Sequence, residues 1–396
     1  MIIKTTIISI YLILVTYGLG FIGWDILVSR NLTYYSLLLG APLFIYNVFC
    51  KKISKKDFSL LAIYLALMPI VSCFSKQILL EESAFSVSAP LLLSLAFMFF
   101  FTLKYFDVQE DNIIKAILTI GTLTAIIQIY QQIFPNSIYF DAFQSEYYHI
   151  SEIEIRNNFS RYLVGSSAIQ LFCLYIMWSK AIEKFSFINA ALTCLFLVSI
   201  YLYLTRLVLV ATVVTIIISS FFSQGKGAKR FSFILTCCFI FGITFYWDRL
   251  FGDFVLMSQQ NTYGTDIRWK CMSFFIERII SNPLGFIFGY GESHYEEIWY
   301  REGFYASDIG LIGDMYHFGI SWIIIYFLFV FKIVIKHKKT VPLYIRLYLI
   351  GTLISSPFAF PYHLLDSAVV WLFIIFISDK YIIRSPKKHR QKAKYL

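Results

Sequence analysis

The sequence predicts an all-α, polytopic integral membrane protein with about twelve transmembrane helices and a large extracytoplasmic loop between spans nine and ten. Three observations carry that prediction. Of 396 residues, 58% are hydrophobic and 15% are charged, whereas a soluble chain averages about 25% charged. The mean hydropathy is +0.69. Apolar stretches of roughly 18 residues recur from end to end, the length with which a self-bonded helix crosses a bilayer. Such a composition excludes a soluble globular enzyme, a disordered chain and a disulfide scaffold.

The spans fall near residues 5–24, 32–49, 58–75, 84–103, 112–134, 161–179, 186–204, 206–222, 231–247, 309–331, 343–360 and 365–381. Residues 1–396 are thus expected to form one membrane domain. The first span follows Lys4 and lacks an A-x-A-like cleavage site, so it reads as a retained helix rather than a signal peptide. Spans seven and eight share one apolar run over residues 187–222, about twice a crossing. Its only charged point is Arg206, which places the split at Leu204-Thr205-Arg206. The seven cysteines lie in or beside apolar segments without metal or haem spacing, and read as packing residues.

Charge orients the map. With both termini cytoplasmic, and each span-borne charge assigned to its nearer end, 24 of the 34 lysines and arginines fall inside. Of the 24 acids, 18 fall outside. This is the positive-inside pattern, so the basic tail at 383–396 is a topology signal rather than a nucleic-acid footprint. Two outer segments exceed the length of turns, 135–161 and 248–308. Loops of more than about 12–15 residues usually carry function, which turns attention to the extracytoplasmic side.

In the longer loop, residues 266–285 read as an amphipathic helix. Trp269, Met272, Phe275, Ile276 and Ile279 recur at helical spacing, and Asn282-Pro283 ends the run. Arg268 and Arg278 lie about 15 Å apart along it. Its apolar face suits a membrane surface, with the arginines near phosphate depth; a plain interfacial anchor explains the same pattern. Arg206 is a candidate because an unpaired arginine in an apolar run costs at least about 2.5–3.5 kcal/mol, and its planar fork suits phosphate oxygens. A snorkelling residue or a partner for Asp314 is the alternative. Asp308, Asp314 and His317 stand at the mouth of span ten, Asp314 and His317 on one helix face. They suit either proton acceptance from a sugar hydroxyl or a structural hydrogen bond. His294 sits in a Gly-flanked acidic loop, where a solvated histidine is the plainer account. His149, Arg156 and Arg161 form a possible second sugar or phosphate contact. No D-x-D, Walker, G-x-S-x-G or H-E-x-x-H motif occurs, so no metal or cofactor is expected and the energy is expected to arrive in the substrate itself, which fits an activated polyprenyl-pyrophosphate sugar.

Several short motifs then stand in order: Arg268-Trp269, Asn282-Pro283-Leu284-Gly285, Gly289-Tyr290-Gly291, and Asp308 with Gly319 eleven residues later. Together they resemble the O-antigen polymerase and ligase superfamily (Wzy type and its relatives) over roughly residues 186–335. The resemblance implies a bacterial inner-membrane, metal-independent glycosyltransferase that joins undecaprenyl-pyrophosphate-linked repeat units at the outer face. It implies that Arg206 and Arg268 hold the pyrophosphate, that Asp308 and His317 serve the chemistry, and that Asp266, Arg278, Asp314, His294, Arg156 and Arg161 contact substrate. Membrane lipid is an expected partner, a chain-length regulator protein a further one, and nucleic acid is not. Arg278 and Gly289 also fit an R-x10-G spacing that resembles a polymerase loop motif; the spacing does not recur from Arg156 or Arg161. Ligases of the superfamily carry a histidine where this chain has Asp308, which favours a polymerase; a ligase and, further off, a flippase are the alternatives.

Overall fold

In the computed structural model of the chain, the described residues are 35, 38, 40–50, 58–87, 89–134, 155–156, 159–160, 167–203, 206–222, 262–293, 304–357 and 365–392, with single residues between 230 and 244. The fold is all-α. The helices are α1 (Ala41–Cys50), α2 (Ser59–Leu80), α3 (Ala89–Tyr105), α4 (Glu110–Ile133), α5 (Ser167–Glu183), α6 (Phe187–Leu202), α7 (Arg206–Phe222), α8 (Thr262–Ser281), α9 (Pro283–Phe288), α10 (Leu311–Phe318), α11 (Ile320–Phe331), α12 (Leu343–Ser355) and α13 (Leu365–Lys392). A two-residue antiparallel pair, Ile155–Arg156 with Phe159–Ser160, is the one departure among them. The helices α2 and, within α4, Glu110–Tyr130 are long and apolar enough to cross a membrane. Five further apolar helices of 10–17 residues fall short of that length.

The chain divides into two compact units. The first holds α4 to α7 and the start of α12. Its centre is α5, buried almost all round, which is what a helix apolar on every face requires. Neighbours satisfy its polar atoms: Gln170 Nε2 donates to the Gly121 carbonyl at 2.8 Å and Trp178 Nε1 to Ser219 Oγ at 3.0 Å. Phe172 packs edge-on against Tyr344 and Tyr348.

The second unit holds α1 to α3, α8 to α11, the end of α12, and α13. One end gathers Lys104, which donates to Ser59 Oγ at 2.9 Å, Lys380, which meets Asp107 at 3.0 Å, and Lys332, whose ammonium lies over the Phe58 ring. The buried Asp379 carboxylate accepts the Phe58 amide at 2.7 Å, capping α2 from another helix because no side chain of its own does so. The other end gathers the last turn of α2, α9 and α10, and the Leu311 amide bonded to the Ser356 carbonyl at 2.9 Å.

Two expectations are corrected here. Span ten, expected as one helix over 309–331, is broken: Gly319 at φ 79 and ψ 173 closes α10 with its amide on the Met315 carbonyl, and α11 starts afresh. A π-helical turn over Lys332–Lys336 then ends α11. The amphipathic helix of the long loop turns its predicted face toward protein rather than membrane. Met272, Phe275 and Ile279 join Cys271, Ile309 and Tyr316 in a buried cluster, leaving Trp269 and Ile276 exposed.

Candidate functional site

The candidate site forms where α8, α9 and the segment leading into α10 meet. Asn282 caps α9, its Oδ1 accepting the Leu284 amide at 2.9 Å, and Pro283 takes the first helical position, where a missing N–H costs nothing. Gly289 ends α9 at φ 79 and ψ 173, the same angles as Gly319 at the end of α10. The two turns cross at main-chain contact. A β-carbon on Gly289 would overlap the His317 carbonyl, and one on Gly319 would overlap the Ile287 carbonyl. The backbones then pair, Tyr290 N–H donating to Tyr316 O at 2.7 Å and Gly291 N–H to His317 O at 3.0 Å.

Residues 304–309 lie along α8. The Phe304 ring meets that of Phe274 at 5.3 Å, and Cys271 Sγ donates to the Tyr305 carbonyl at 3.6 Å. Burial pushes the Cys271 thiol up to about 11; the hydrogen bond to Tyr305 opposes this, and the nearby Asp308 carboxylate adds to it. From Phe304 to Asp308, therefore, the segment runs from the Phe274 turn toward the end of α8 that carries Arg268. Both Asp308 and Arg268 are exposed. A guanidinium and a carboxylate on neighbouring rigid elements can hold an anion and take a proton side by side. Arg278, one turn beyond Phe274, stacks its guanidinium 4.9 Å from that ring's centroid.

A buried polar network borders the site, and the sequence reading missed it. Lys76, 1% exposed, donates to Ser86 Oγ at 2.7 Å and lies 3.7 Å from Glu82. Glu82 accepts from Ser86 at 2.5 Å and from Ser293, while Ser75 Oγ donates to the Gly289 carbonyl at 2.6 Å. Glu81 sits at φ 55 in the left-handed region, which folds Glu82 back beneath Lys76. The signal for it was Lys76 at the end of an apolar run with two acids close behind.

The other candidates are distributed unevenly. Asp314 and His317 lie on α10 and are buried, at 0% and 2% exposure. Asp266 falls in the first turns of α8, Arg206 is the first residue of α7 in the first unit, and Arg156 lies in the short strand pair; their side chains lie outside what is described. Arg161, His149 and His294 lie outside the described residues. Among the described residues, no group of three His, Cys, Asp or Glu has metal-holding geometry.

The fold and site thus define a helical protein with two membrane-length helices among the described residues, an exposed Arg268 on α8, an exposed Asp308 on the segment packed along it, and a paired glycine turn. Compared with protein-family models, curated proteins and solved structures, the chain matches none.

Proposed function

We propose that the protein is a polytopic inner-membrane glycosyltransferase of about twelve spans that polymerises undecaprenyl-pyrophosphate-linked oligosaccharide units at the outer face. The observation that carries the reading is the packing of the segment that bears the exposed Asp308 along α8, the helix that bears the exposed Arg268, through Phe304 on Phe274 and Cys271 on the Tyr305 carbonyl, on the side the sequence is expected to turn outward. The second unit supports that topology. Lys104, Lys332 and Lys380 meet at the end assigned to the cytoplasm, and Lys76, Gly289 and Ser356 at the other.

In this reading the Asp308 carboxylate accepts the proton of the acceptor sugar hydroxyl as that oxygen bonds to the donor's anomeric carbon. The bond from that carbon to the pyrophosphate oxygen breaks, and undecaprenyl pyrophosphate leaves with its charge held by Arg268. Hydrogen bonds to charged groups contribute roughly 1.5–3 kcal/mol each, so one from Arg268 supplies about one to two powers of ten. Asp314 and His317 are buried, at 0% and 2% exposure, so in this reading the exposed Asp308 takes the proton-accepting role.

The test is complementation of a strain lacking the gene, read as the glycan ladder together with extracted lipid-linked intermediates. Arg268→Ala and Asp308→Asn are expected to leave single repeat units at normal protein level. A full ladder from both variants overturns the reading. Polymer stranded on the lipid carrier in the deletion strain would show a ligase instead.

A further inference from the structure

We infer that Tyr290 is a positioning residue that sets the spacing between Arg268 and Asp308; the inference rests on the reading above for its catalytic consequence, but not for its geometry.

Tyr290 is attached three ways. Its amide donates to the Tyr316 carbonyl at 2.7 Å, its ring stacks on the Tyr316 ring at 5.0 Å and 7°, and its hydroxyl donates to the Arg278 carbonyl at 2.6 Å. The first two attachments fix it to α10. The segment bearing Asp308 runs directly into α10 through Gly310, whose carbonyl accepts the Asp314 amide at 3.0 Å. The third attachment fixes it to the last turn of α8, where the Arg278 carbonyl also accepts the Ser281 hydroxyl at 2.7 Å, so the tyrosine supplies the tie that leaves the helix. Tyr290 is therefore a strut between the arginine-bearing helix and the acid-bearing segment.

The leverage follows from helix geometry. Arg268 stands ten residues from Arg278, about 15 Å along the axis. If the anchored end of α8 turns by about 5°, the Arg268 end moves by about 1 Å. Misplacement of about 1 Å costs up to roughly 100-fold in rate when a reaction depends on alignment. The buried cluster of Cys271, Met272, Phe275 and Ile279 holds α8 against sliding and is apolar. Apart from the long Cys271 Sγ–Tyr305 contact at 3.6 Å, its contacts are non-directional, and the shorter Tyr290 hydrogen bond at the helix end adds the stronger directional restraint.

The test is Tyr290→Phe, which keeps the ring and the backbone bond and deletes the hydroxyl. In proteoliposomes supplied with the strain's own lipid-linked repeat unit, kcat is expected to fall about ten-fold with KM little changed, and the melting midpoint to hold within a few degrees. In parallel, nitroxide labels at positions 268 and 308, in a chain whose native cysteines are replaced, are expected to show a broadened distance distribution in Tyr290→Phe. An unchanged distribution overturns the inference whatever the activity. A drop in melting midpoint that accounts for the whole loss of rate also overturns it, since the tyrosine would then be only structural. If Arg268→Ala polymerises normally, the functional reading fails while the label distances still decide whether Tyr290 is a strut.

Discussion

Lys76 is the least accessible basic side chain among the described residues, 1% exposed and bonded to Ser86 and Glu82. Breaking a buried ion pair from one side costs about 3–5 kcal/mol because the remaining charge stays desolvated. Glu82→Ala is therefore expected to lower the unfolding midpoint markedly, and Lys76→Met combined with Glu82→Leu to recover most of it. A Glu82→Ala protein as stable as the parent would show that the pair is solvated. Cys271 reports on Asp308 in the same spirit. Its thiol, pushed up to about 11, is protonated at pH 8 and reacts slowly with alkylating reagents. Burial is the main cause and persists in Asp308→Asn, but that variant removes one raising contribution, so the midpoint of the alkylation–pH curve is expected to move down. A midpoint that stays put would separate Asp308 from Cys271 and, with it, from the Arg268 end of α8.

Among the elements, the crossing of α9 and α10 depends most on single atoms. Gly319→Ala meets both a left-handed backbone, costing about 1–2 kcal/mol, and a carbonyl where its methyl would sit. The variant is expected to accumulate poorly and to melt well below the parent, and a normal melting curve would show that the two turns can separate. The sequence displayed the glycines and their spacing but not their partnership, because thirty residues separate Gly289 from Gly319 and the contact is main chain to main chain. The same limit hid the break in span ten. Gly319 is apolar and its neighbours are Phe318 and Ile320, so hydropathy runs through the position without a dip. The period of α8 was legible from Met272, Phe275 and Ile279, whereas what those residues face was not. A helix stripe shows that it must be buried, and only the packing shows that α10 covers it rather than lipid. The Lys76–Glu82 pair escaped for a related reason: six residues apart across a left-handed turn, they match no helical spacing.

At the scale of the whole molecule, the charge asymmetry and the fold of the second unit group the same helix ends, and among the described residues two helices, α2 and Glu110–Tyr130 of α4, are long and apolar enough to cross a membrane. Reporter fusions after residue 56 and after residue 390 are expected to be active in the cytoplasm, and fusions within 294–303 to be active outside. A cytoplasmic signal from the 294–303 fusions would invert the map. One contact has a bearing on how such a chain is made. Asp379 caps α2 from 321 residues further along the chain. At about 5–20 residues per second, translation leaves the Phe58 amide at the start of α2 without that partner for roughly 15–60 s. The start of α2 must therefore stay open until α13 arrives, which makes α13 the closing piece of assembly, and a ribosome stalled before residue 379 would leave behind a form marked for proteolysis.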